Sequence, residues 1–422
     1  MRTNWAGNIV YRAARFHRPT SVEELQEVVS RATSLRPLGT GHSFNRLTDT
    51  DGDQASVAGL PRIFDVDAAS RTVTVSAGMR YGEVAPPLHD HGWALANLGS
   101  LPHISVAGAV ATGTHGSGER NGSLATSVRA LDMVVPGGEL VTLDRKHDGD
   151  IFNGAVVALG ALGVVTSLTL DVVPTFEVRQ HVYDDLPYDE LIDAFDEVAS
   201  AAYSVSVFTD WQEPVRAQVW LKRRVDEGEQ LSGEPPQHWL GATLANGPRH
   251  PIAGMSPEHC TPQLGEPGPW HERLPHFRLG FTPSSGAELQ SEYLVGRGSA
   301  VDALHALAGL HDQVAPVLLT SEIRTVAADG LWLSPAYHRD SVALHFTWIA
   351  DETAVAPVVA AVEQALAPFD ARPHWGKVFS TSPRVVTDEY ERWADFTTLA
   401  QRFDPDDVLR NELLQDYFAP AP

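Results

Sequence analysis

Apolar and polar positions in the first half of the chain follow helical and strand periods, separated by glycine-rich stretches. A capping-box sequence begins at Ser21 and apolar residues follow it at helical spacing, which predicts a helix ending near Ser34. The pattern then predicts a strand over residues 71–77, a short helix over residues 82–88 and a hairpin over residues 130–143. A buried helix that ends at Gly163 and a strand over residues 164–173 follow.

The pattern in the second half predicts strand, helix, strand, strand, helix and strand, at residues 287–295, 299–314, 316–326, 341–350, 353–369 and 374–380. That order is the split βαββαβ unit of ferredoxin-like folds, in which helices cover one face of an antiparallel sheet and the other face is free. Before it, residues 226–270 are rich in Pro, Gly, Gln and His without a sustained period, which predicts a long excursion over the surface.

Period-two alternation brings the polar side chains of the later strands to one sheet face. They are Gln290, Glu292, Glu322, Arg324, His345, Thr347 and, on the last predicted strand, Lys377. A solvated face is the commoner outcome for such positions, with Glu322 and Arg324 in a structural ion-pair network. Because solvated faces are usually rich in Lys, Glu and Thr, the Arg, Gln and His here favour a wall that binds hydroxyl groups.

A glycine turn at residues 36–45 follows a predicted strand. Because Gly39 and Gly41 carry no Cβ, backbone N–H groups can converge there on an anion such as a pyrophosphate. Binding of a phosphate alone requires only backbone N–H groups and cationic side chains. The neighbouring His42 therefore indicates a nucleotide cofactor whose reactive ring it contacts or bonds.

Composition and charge narrow the class of protein. A chain of 422 residues predicts two domains, and a formal net charge of −23 argues against nucleic acid or an anionic membrane as partner. Cys260 is the single cysteine, so neither an intramolecular disulfide nor a multi-thiolate metal site forms, as in a reducing compartment. No secretory signal is visible at the N-terminus, and residues 154–170 are short for a bilayer span. We expect a cytoplasmic monomer.

Six motifs, in order over essentially the whole chain, resemble the vanillyl-alcohol-oxidase type of FAD flavoprotein and, within it, the alditol (xylitol) oxidases. They are LGTGHSFN (38–45), SLPHIS (100–105), HGSG (115–118), GALGVVT (160–166), SEIR (321–324) and PHWGKV (373–378). The resemblance implies an α+β fold: a PCMH/VAO-type FAD-binding domain in residues 1–177 and a substrate cap in residues 178–372 that contains the ferredoxin-like sheet. Residues 373–422 would return to the FAD-binding domain.

The resemblance also implies the residues that hold the cofactor. His42 would bond covalently to the flavin 8α-methyl group, and residues 37–43 would wrap the pyrophosphate. The FAD-contacting positions would be Pro37, Leu38, Gly39, Thr40, Gly41, His42, Ser43, Ser100, Ser105, Gly108, Thr112, Gly113, Thr114, His115 and Val165. No metal is expected.

The implied activity is oxidation of the terminal primary alcohol of an alditol such as xylitol or sorbitol to the aldose, with O2 reduced to H2O2. The catalytic residues would be Lys377, Arg324 and His345, and the substrate-binding residues Ser100, Gln290, Glu322, Arg324 and Thr347. Two departures from the family pattern stand out: Gly99 occupies a position where alanine is expected, and residues 404–411, with Asn411, match the closing segment only roughly.

Three alternatives remain beside this reading. A sugar-1,4-lactone oxidase or dehydrogenase on the same scaffold would prefer a closed ring over an open polyol. A metal-binding or sugar-binding protein without redox chemistry is suggested by 18 histidines, but their positions follow no known metal-ligand spacing. A second covalent bond to the flavin is disfavoured because the single cysteine lies in the predicted excursion.

Overall fold

The computed structural model describes residues 2–225, 235–280 and 288–418, and the structural statements below concern these residues. Residues 226–234 of the predicted excursion and Ala287, the first residue of a predicted strand, lie outside them.

The strands, in chain order, are β1 (Arg15–His17), β2 (Leu35–Leu38), β3 (Asp53–Ser56), β4 (Phe64–Asp67), β5 (Thr72–Ser76), β6 (Trp93–Ala94), β7 (Val128–Val134), β8 (Leu140–Asp144), β9 (Val164–Asp171), β10 (Val173–Pro174), β11 (Glu177–Pro187), β12 (Ser204–Thr209), β13 (Arg216–Arg224), β14 (His238–Trp239), β15 (Ala242–Leu244), β16 (Gly268–Pro269), β17 (Glu288–Gly296), β18 (Leu318–Val326), β19 (Ser341–Ile349) and β20 (Arg372–Pro373).

The α-helices, in chain order, are α1 (Val22–Arg31), α2 (Tyr81–Asp90), α3 (Val106–Ala111), α4 (Arg145–Val156), α5 (Tyr188–Asp193), α6 (Phe195–Ser200), α7 (Ala300–Ala308), α8 (His311–Val314), α9 (Glu352–Leu366), α10 (Pro383–Asp388), α11 (Trp393–Phe403) and α12 (Glu412–Phe418).

The N-terminal part contains a parallel sheet in the order β1-β3-β2 and an antiparallel sheet in the order β4-β5-β9-β7-β8. The predicted first helix is confirmed as α1, where the Ser21 hydroxyl accepts the Glu24 backbone N–H at 3.1 Å. The predicted hairpin is confirmed as β7 and β8. The first glycine-rich loop directly follows β2, which is an edge strand of the parallel sheet.

The predicted buried helix ends earlier than expected, at Val156 rather than at Gly163. Leu159 and Gly160 adopt φ angles of 56° and 68°, and this left-handed conformation is incompatible with a continuing α-helix. Residues 157–163 consequently form a loop that leads directly into β9.

One large sheet dominates the second half, in the order β14-β15-β11-β13-β12-β18-β19-β17-β20, with β16 paired to β11. Within it the predicted split unit is confirmed: β17, β18, β19 and β20 are arranged as β18-β19-β17-β20, with α7 and α9 as the connecting helices. A second unit precedes it, in which β11, helices α5 and α6, β12 and β13 give the order β11-β13-β12. Antiparallel pairing of β12 with β18 joins the two units.

Two elements of the split unit differ from the prediction. The helix expected over residues 299–314 is divided into α7 and α8 around Gly309, the C-cap of α7. The strand expected over residues 374–380 is wrong, because β20 contains only Arg372 and Pro373 and is followed by a turn that carries Lys377. The Lys377 backbone N–H donates to the His374 carbonyl at 3.0 Å, which closes this turn.

The excursion is only partly a surface segment. Residues 250–277 fold back onto the large sheet, and Cys260 is 2% exposed in a small cluster with Phe208 and Trp220. The prediction of an exposed cysteine region is therefore wrong for this stretch. The Cys260 thiol is free, and burial raises its pKa to about 12.

Two hydrophobic cores lie on either side of the junction between the halves. The first contains Leu25 and Val75 of the N-terminal part together with Trp375 and Tyr417 of the C-terminal segment. The second lies between the large sheet and helices α5 to α9, and Trp348 is among its buried residues. In the part of the chain that the structure describes, no helix has the length and apolar character needed to cross a membrane.

Candidate active site

A cavity of about 720 Å³ lies between the glycine-rich loops and the polar face of the large sheet. All residues predicted to contact cofactor or substrate, or to act in catalysis, line it, with the exception of Gly113. Gly113 has φ +67°, and a Cβ added there would lie 3.0 Å from Pro335 Cδ, so it packs against a loop of the second half. Asn411 is also outside the cavity: its amide donates to the backbone carbonyls of Arg46, Leu47 and Asp49.

One end of the cavity is a cradle made by Gly39, Ser105 and Gly108. A Cβ added at Gly39 would lie 2.5 Å from Ser105 Oγ, and one added at Gly108 would lie 2.8 Å from it, so a side chain at either position would displace the Ser105 hydroxyl. Ser105 Oγ is buried without a hydrogen-bond partner, while the Ser105 backbone N–H donates to Thr40 Oγ1 at 3.1 Å. An unpaired hydroxyl between two bare backbone segments fits a phosphate group that supplies the missing acceptor.

His42 lies next to this cradle and lines the cavity. Its ring stacks on Trp5, with 5.2 Å between ring centroids, and its Nδ1 lies 2.9 Å from Thr40 Oγ1. Burial, with His103 and Arg80 nearby, lowers the His42 pKa to about 4. The imidazole is therefore neutral near pH 7 and retains a ring nitrogen lone pair that can act as a nucleophile.

The opposite end of the cavity is centred on Glu292, a buried carboxylate on β17. Its Oε1 lies 2.6 Å from Arg324 Nη2 and 3.2 Å from His115 Nε2, and its Oε2 lies 3.0 Å from Lys377 Nζ. Burial alone would raise the Glu292 pKa, but Lys377, Arg324 and His115 hold it well below 4.5. Glu292 therefore stays ionised and holds two cationic side chains at one point of the wall.

Lys377 joins this carboxylate to an imidazole. Its Nζ lies 2.7 Å from His345 Nδ1, and His345 Nε2 lies 3.2 Å from Thr347 Oγ1. Burial lowers the His345 pKa to about 4, so His345 is neutral, accepts from the lysine at Nδ1 and donates from Nε2 to Thr347. Burial also lowers the pKa of Lys377 below 10.5, although Glu292 opposes that change.

The turn that carries Lys377 is held by the glycine-rich loop of the N-terminal part. The Asn45 side-chain amide donates to the Trp375 carbonyl at 2.8 Å and to the Lys377 carbonyl at 3.0 Å. The Phe44 backbone N–H donates to the Gly376 carbonyl at 2.7 Å. The same loop therefore forms the cradle at one end and positions the lysine at the other.

Glu322 and Arg324 occupy the neighbouring strand β18, with their side chains toward the cavity. Arg324 Nη1 lies 3.4 Å from Ser100 Oγ, and its Nε lies 3.6 Å from Glu322 Oε2. Burial would raise the Glu322 pKa, but Arg324 and His276 hold it below 4.5. On β17, the Gln290 amide donates to Glu288 Oε1 at 2.6 Å. The sheet face is thus an enclosed ionic wall and not a solvated surface.

His374 connects the two ends of the cavity. Its Nδ1 accepts the Gly376 backbone N–H at 3.1 Å, which leaves the proton on Nε2, 3.3 Å from Thr114 Oγ1. Burial lowers its pKa to about 3. Thr114 Oγ1 in turn lies 3.1 Å from Thr112 Oγ1, so both threonines belong to one hydrogen-bonded edge of the cavity.

Sequence reasoning placed Glu292 on the polar face but did not include it among the site residues. It also did not include His374, three residues before Lys377. Strand alternation points to Glu292, and the PHWGKV motif contains His374, so a signal existed for each. His276 and Lys222 had no such signal. His276 lies in a segment without a period, and Lys222 follows Trp220 and Leu221 on a strand that alternates poorly.

Two family models match the chain: one described as FAD binding domain over residues 13–144, and one described as D-arabinono-1,4-lactone oxidase over residues 287–417. The chain is 54% identical to an alditol oxidase of Streptomyces sp. (strain IKD472 / FERM P-14339), a match that covers 98% of each chain. It is 29% identical to an L-gulono-1,4-lactone dehydrogenase of Mycobacterium tuberculosis (strain ATCC 25618 / H37Rv), with 99% of each chain covered. Cholesterol oxidase from B. sterolicum has the same fold, with a TM-score of 0.77 over 99% of this chain and 96% of that one, at 16% identity.

Proposed function

Because the chain belongs to the alditol oxidase family of FAD flavoproteins, we propose that it oxidises the terminal primary alcohol of an alditol of the xylitol or sorbitol type to the aldose, with O2 reduced to H2O2. The observation that carries this proposal is that the cradle of Gly39, Ser105 and Gly108 and the wall of Glu292, Arg324 and Lys377 line one cavity. FAD, when bound, supplies the two-electron acceptor for the hydride that leaves the carbinol carbon.

The glycine-rich loops would hold FAD. The backbone of residues 37–43 and the unpaired Ser105 hydroxyl fit the pyrophosphate, and Thr112, Thr114, His115 and Val165 line the remaining cofactor surface. We propose that His42 is bonded to the 8α-methyl carbon of the flavin, which its neutral state and its place beside the cradle support. Flavin fluorescence in acid-precipitated wild type, absent from precipitated His42→Ala, is the expected result; release of flavin from both would refute the bond.

Lys377 would take the proton of the reacting hydroxyl. A lysine accepts a proton only in its neutral form, and burial makes that form accessible by lowering its pKa. His345 would keep the amine oriented through its Nδ1, and Thr347 would receive the His345 Nε2 proton in a hydrogen bond. Arg324 would stabilise negative charge on the alcohol oxygen.

The other hydroxyl groups of the polyol would bind Ser100, Gln290, Glu322 and Thr347, all of which line the same cavity. An alditol is a row of donors and acceptors, and such a wall offers a carboxylate, an amide and hydroxyls in return. An aliphatic alcohol would leave these buried groups unpaired, so the site discriminates against it.

Rates of H2O2 formation with xylitol, sorbitol and an aldono-1,4-lactone test the proposal. We expect a yellow protein that turns over both alditols faster than the lactone and that loses activity as Lys377→Met. The lactone is the second candidate substrate, because the model over residues 287–417 is described as a lactone oxidase. Faster turnover of the lactone would overturn the alditol assignment, and a colourless protein would overturn the flavin assignment.

We further propose that the protein acts as a cytoplasmic monomer on small molecules and O2, without a nucleic-acid or membrane partner. The net charge of −23 and the free, buried thiol of Cys260 support this. Sedimentation at increasing protein concentration tests the monomer, and a concentration-dependent dimer would contradict it.

A further inference from the structure

A buried histidine and a buried lysine continue the hydrogen-bonded chain that begins at Glu322: His276 lines the same cavity, whereas Lys222 does not line it. Lys222 Nζ lies 2.9 Å from His276 Nδ1, and His276 Nε2 lies 2.8 Å from Glu322 Oε1. Lys222 is 1% exposed and His276 is 4% exposed. Lys222 belongs to β13 and Glu322 to β18, so His276 bridges two strands that are separated by β12 in the sheet.

The partners of His276 determine which nitrogen carries its proton. Lys222 is also hydrogen-bonded to the Leu274 carbonyl, a contact in which the lysine donates. When the Lys222 ammonium donates to His276 Nδ1, the imidazole proton must reside on Nε2 and is donated to Glu322. Phe208 and Trp220 contact the His276 ring edge-on, at 5.4 and 5.3 Å between ring centroids, and prevent it from turning.

This arrangement engages one oxygen of Glu322 and leaves the other for a ligand. Oε1 accepts from His276, whereas the nearest cation to Oε2 is Arg324 Nε at 3.6 Å, and that Nε makes no hydrogen bond. If Lys222 only filled space between the strands, an apolar side chain would serve as well, without the free-energy cost of burying a charge.

We propose that Lys222 and His276 are positioning residues that set the affinity for the polyol, by fixing the Glu322 carboxylate so that Oε2 accepts from a substrate hydroxyl. The inference rests on the proposed alditol oxidase function and assigns its substrate affinity to two residues that do not touch the reacting carbon. Loss of either residue lets Glu322 rotate toward Arg324 Nε and weakens binding, whereas the hydride and proton steps at Lys377 are preserved.

The charge on Lys222 makes the affinity for the polyol depend on pH. The groups that face it are His276 and Cys260 from the folded-back segment and Glu322 and Arg324 from β18. Burial lowers the Lys222 pKa to about 7, while His276, with a pKa of about 4, and Cys260, with a pKa of about 12, keep their charge state near neutrality. As pH rises through about 7, Lys222 becomes a neutral amine, whose hydrogen bond to His276 Nδ1 is weaker than that of the ammonium, and polyol binding is expected to weaken.

Anaerobic stopped-flow reduction by xylitol separates the dissociation constant from the rate of flavin reduction. For Lys222→Met and His276→Phe we expect the dissociation constant to rise about tenfold or more and the limiting rate to stay within about threefold. His276→Gln, which retains an N–H donor near the Nε2 position, should recover most of the affinity. Gln180→Met is the matched control, because Gln180 pairs with Lys222 across β11 and β13 and is buried but does not touch His276.

The proposal is overturned if the limiting rate falls as far as the affinity, if Gln180→Met has the same effect as Lys222→Met, or if both variants bind xylitol normally. Should a variant not fold, the wild-type protein provides the test. A dissociation constant for xylitol that does not change between pH 6 and pH 8.5 contradicts the role of Lys222. Failure of xylitol to reduce the wild-type protein at all would instead refute the proposed function.

Discussion

Glu292 Oε2 lies 3.0 Å from Lys377 Nζ, so a carboxylate on β17 holds the amine of a turn that belongs to the C-terminal segment. Neither group is exposed, and each shifts the pKa of the other in favour of its charged form. Glu292 therefore contacts the amine of the catalytic lysine of the proposed mechanism directly and favours its protonated form.

Removing that carboxylate should destabilise the protein. Glu292→Gln leaves Arg324 and Lys377 as buried cations without their shared partner, and we expect the free energy of unfolding to fall by about 3–5 kcal/mol. Glu119→Gln is the matched control, because the exposed pair of Glu119 with Arg297 should contribute about 1 kcal/mol or less. Urea unfolding followed by circular dichroism measures both; equal losses in the two variants would contradict the central role of Glu292.

Activity should rise with pH as Lys377 loses its proton. Its neutral form is the base, and burial lowers its pKa from 10.5, so the midpoint of the rising limb of kcat should lie below 10.5. Glu292 favours the ammonium form, so Glu292→Gln should move the midpoint to still lower pH. A limb that keeps its midpoint in Glu292→Gln would mean that another group titrates.

The cradle should tolerate no added methyl group at Gly39. The Cβ of Gly39→Ala would lie 2.5 Å from Ser105 Oγ, and we expect purified protein with most of its flavin missing. Gly99→Ala is the control within the same cavity, because its nearest neighbours lie 3.7–3.9 Å away, in ordinary contact. The ratio of visible flavin absorbance to protein absorbance measures both variants. Full flavin content in Gly39→Ala would show that the cradle does not hold the cofactor.

Asn45 should affect turnover more than cofactor content. Asn45→Ala removes two of the hydrogen bonds that hold the Lys377 turn, and misplacement of the base by a fraction of an ångström is expected to lower kcat about tenfold to a hundredfold. Asn8→Ala is the control, because Asn8 donates to the Phe44 carbonyl of the same loop but does not touch the turn. Flavin content and kcat should both remain near wild type in that control.

Local sequence signals identify the first glycine turn and most of the polar wall, whereas Ser105 and Gly108 of the cradle were expected only from the family resemblance. Gly39 and Gly41 are recognisable from sequence because the backbone must approach an anion closely, and Glu322 with Arg324 because strand alternation puts them on one face. Both signals need only neighbouring residues. That is why the strand and helix order of the split βαββαβ unit was predicted correctly, although its last strand and its first helix differ in their bounds.

Features that depend on distant partners were not accessible in this way. Residues 374–380 have the composition of a strand, but Asn45 takes the carbonyls of Trp375 and Lys377, so a turn forms instead. Lys222 would be assigned to solvent on sequence grounds, and only the return of the segment around His276 encloses it. The pairing of β12 with β18, which joins two similar units into one sheet, likewise has no local signal.

The pairing of β12 with β18 has a consequence for how such an enzyme acquires new substrates. Strand β18 is hydrogen-bonded to β12 on one side and to β19 on the other, so its backbone has little freedom to shift as ligands change. Selectivity on this frame is therefore encoded by the identity of side chains, and single replacements along β18 are a direct route to redesigning it.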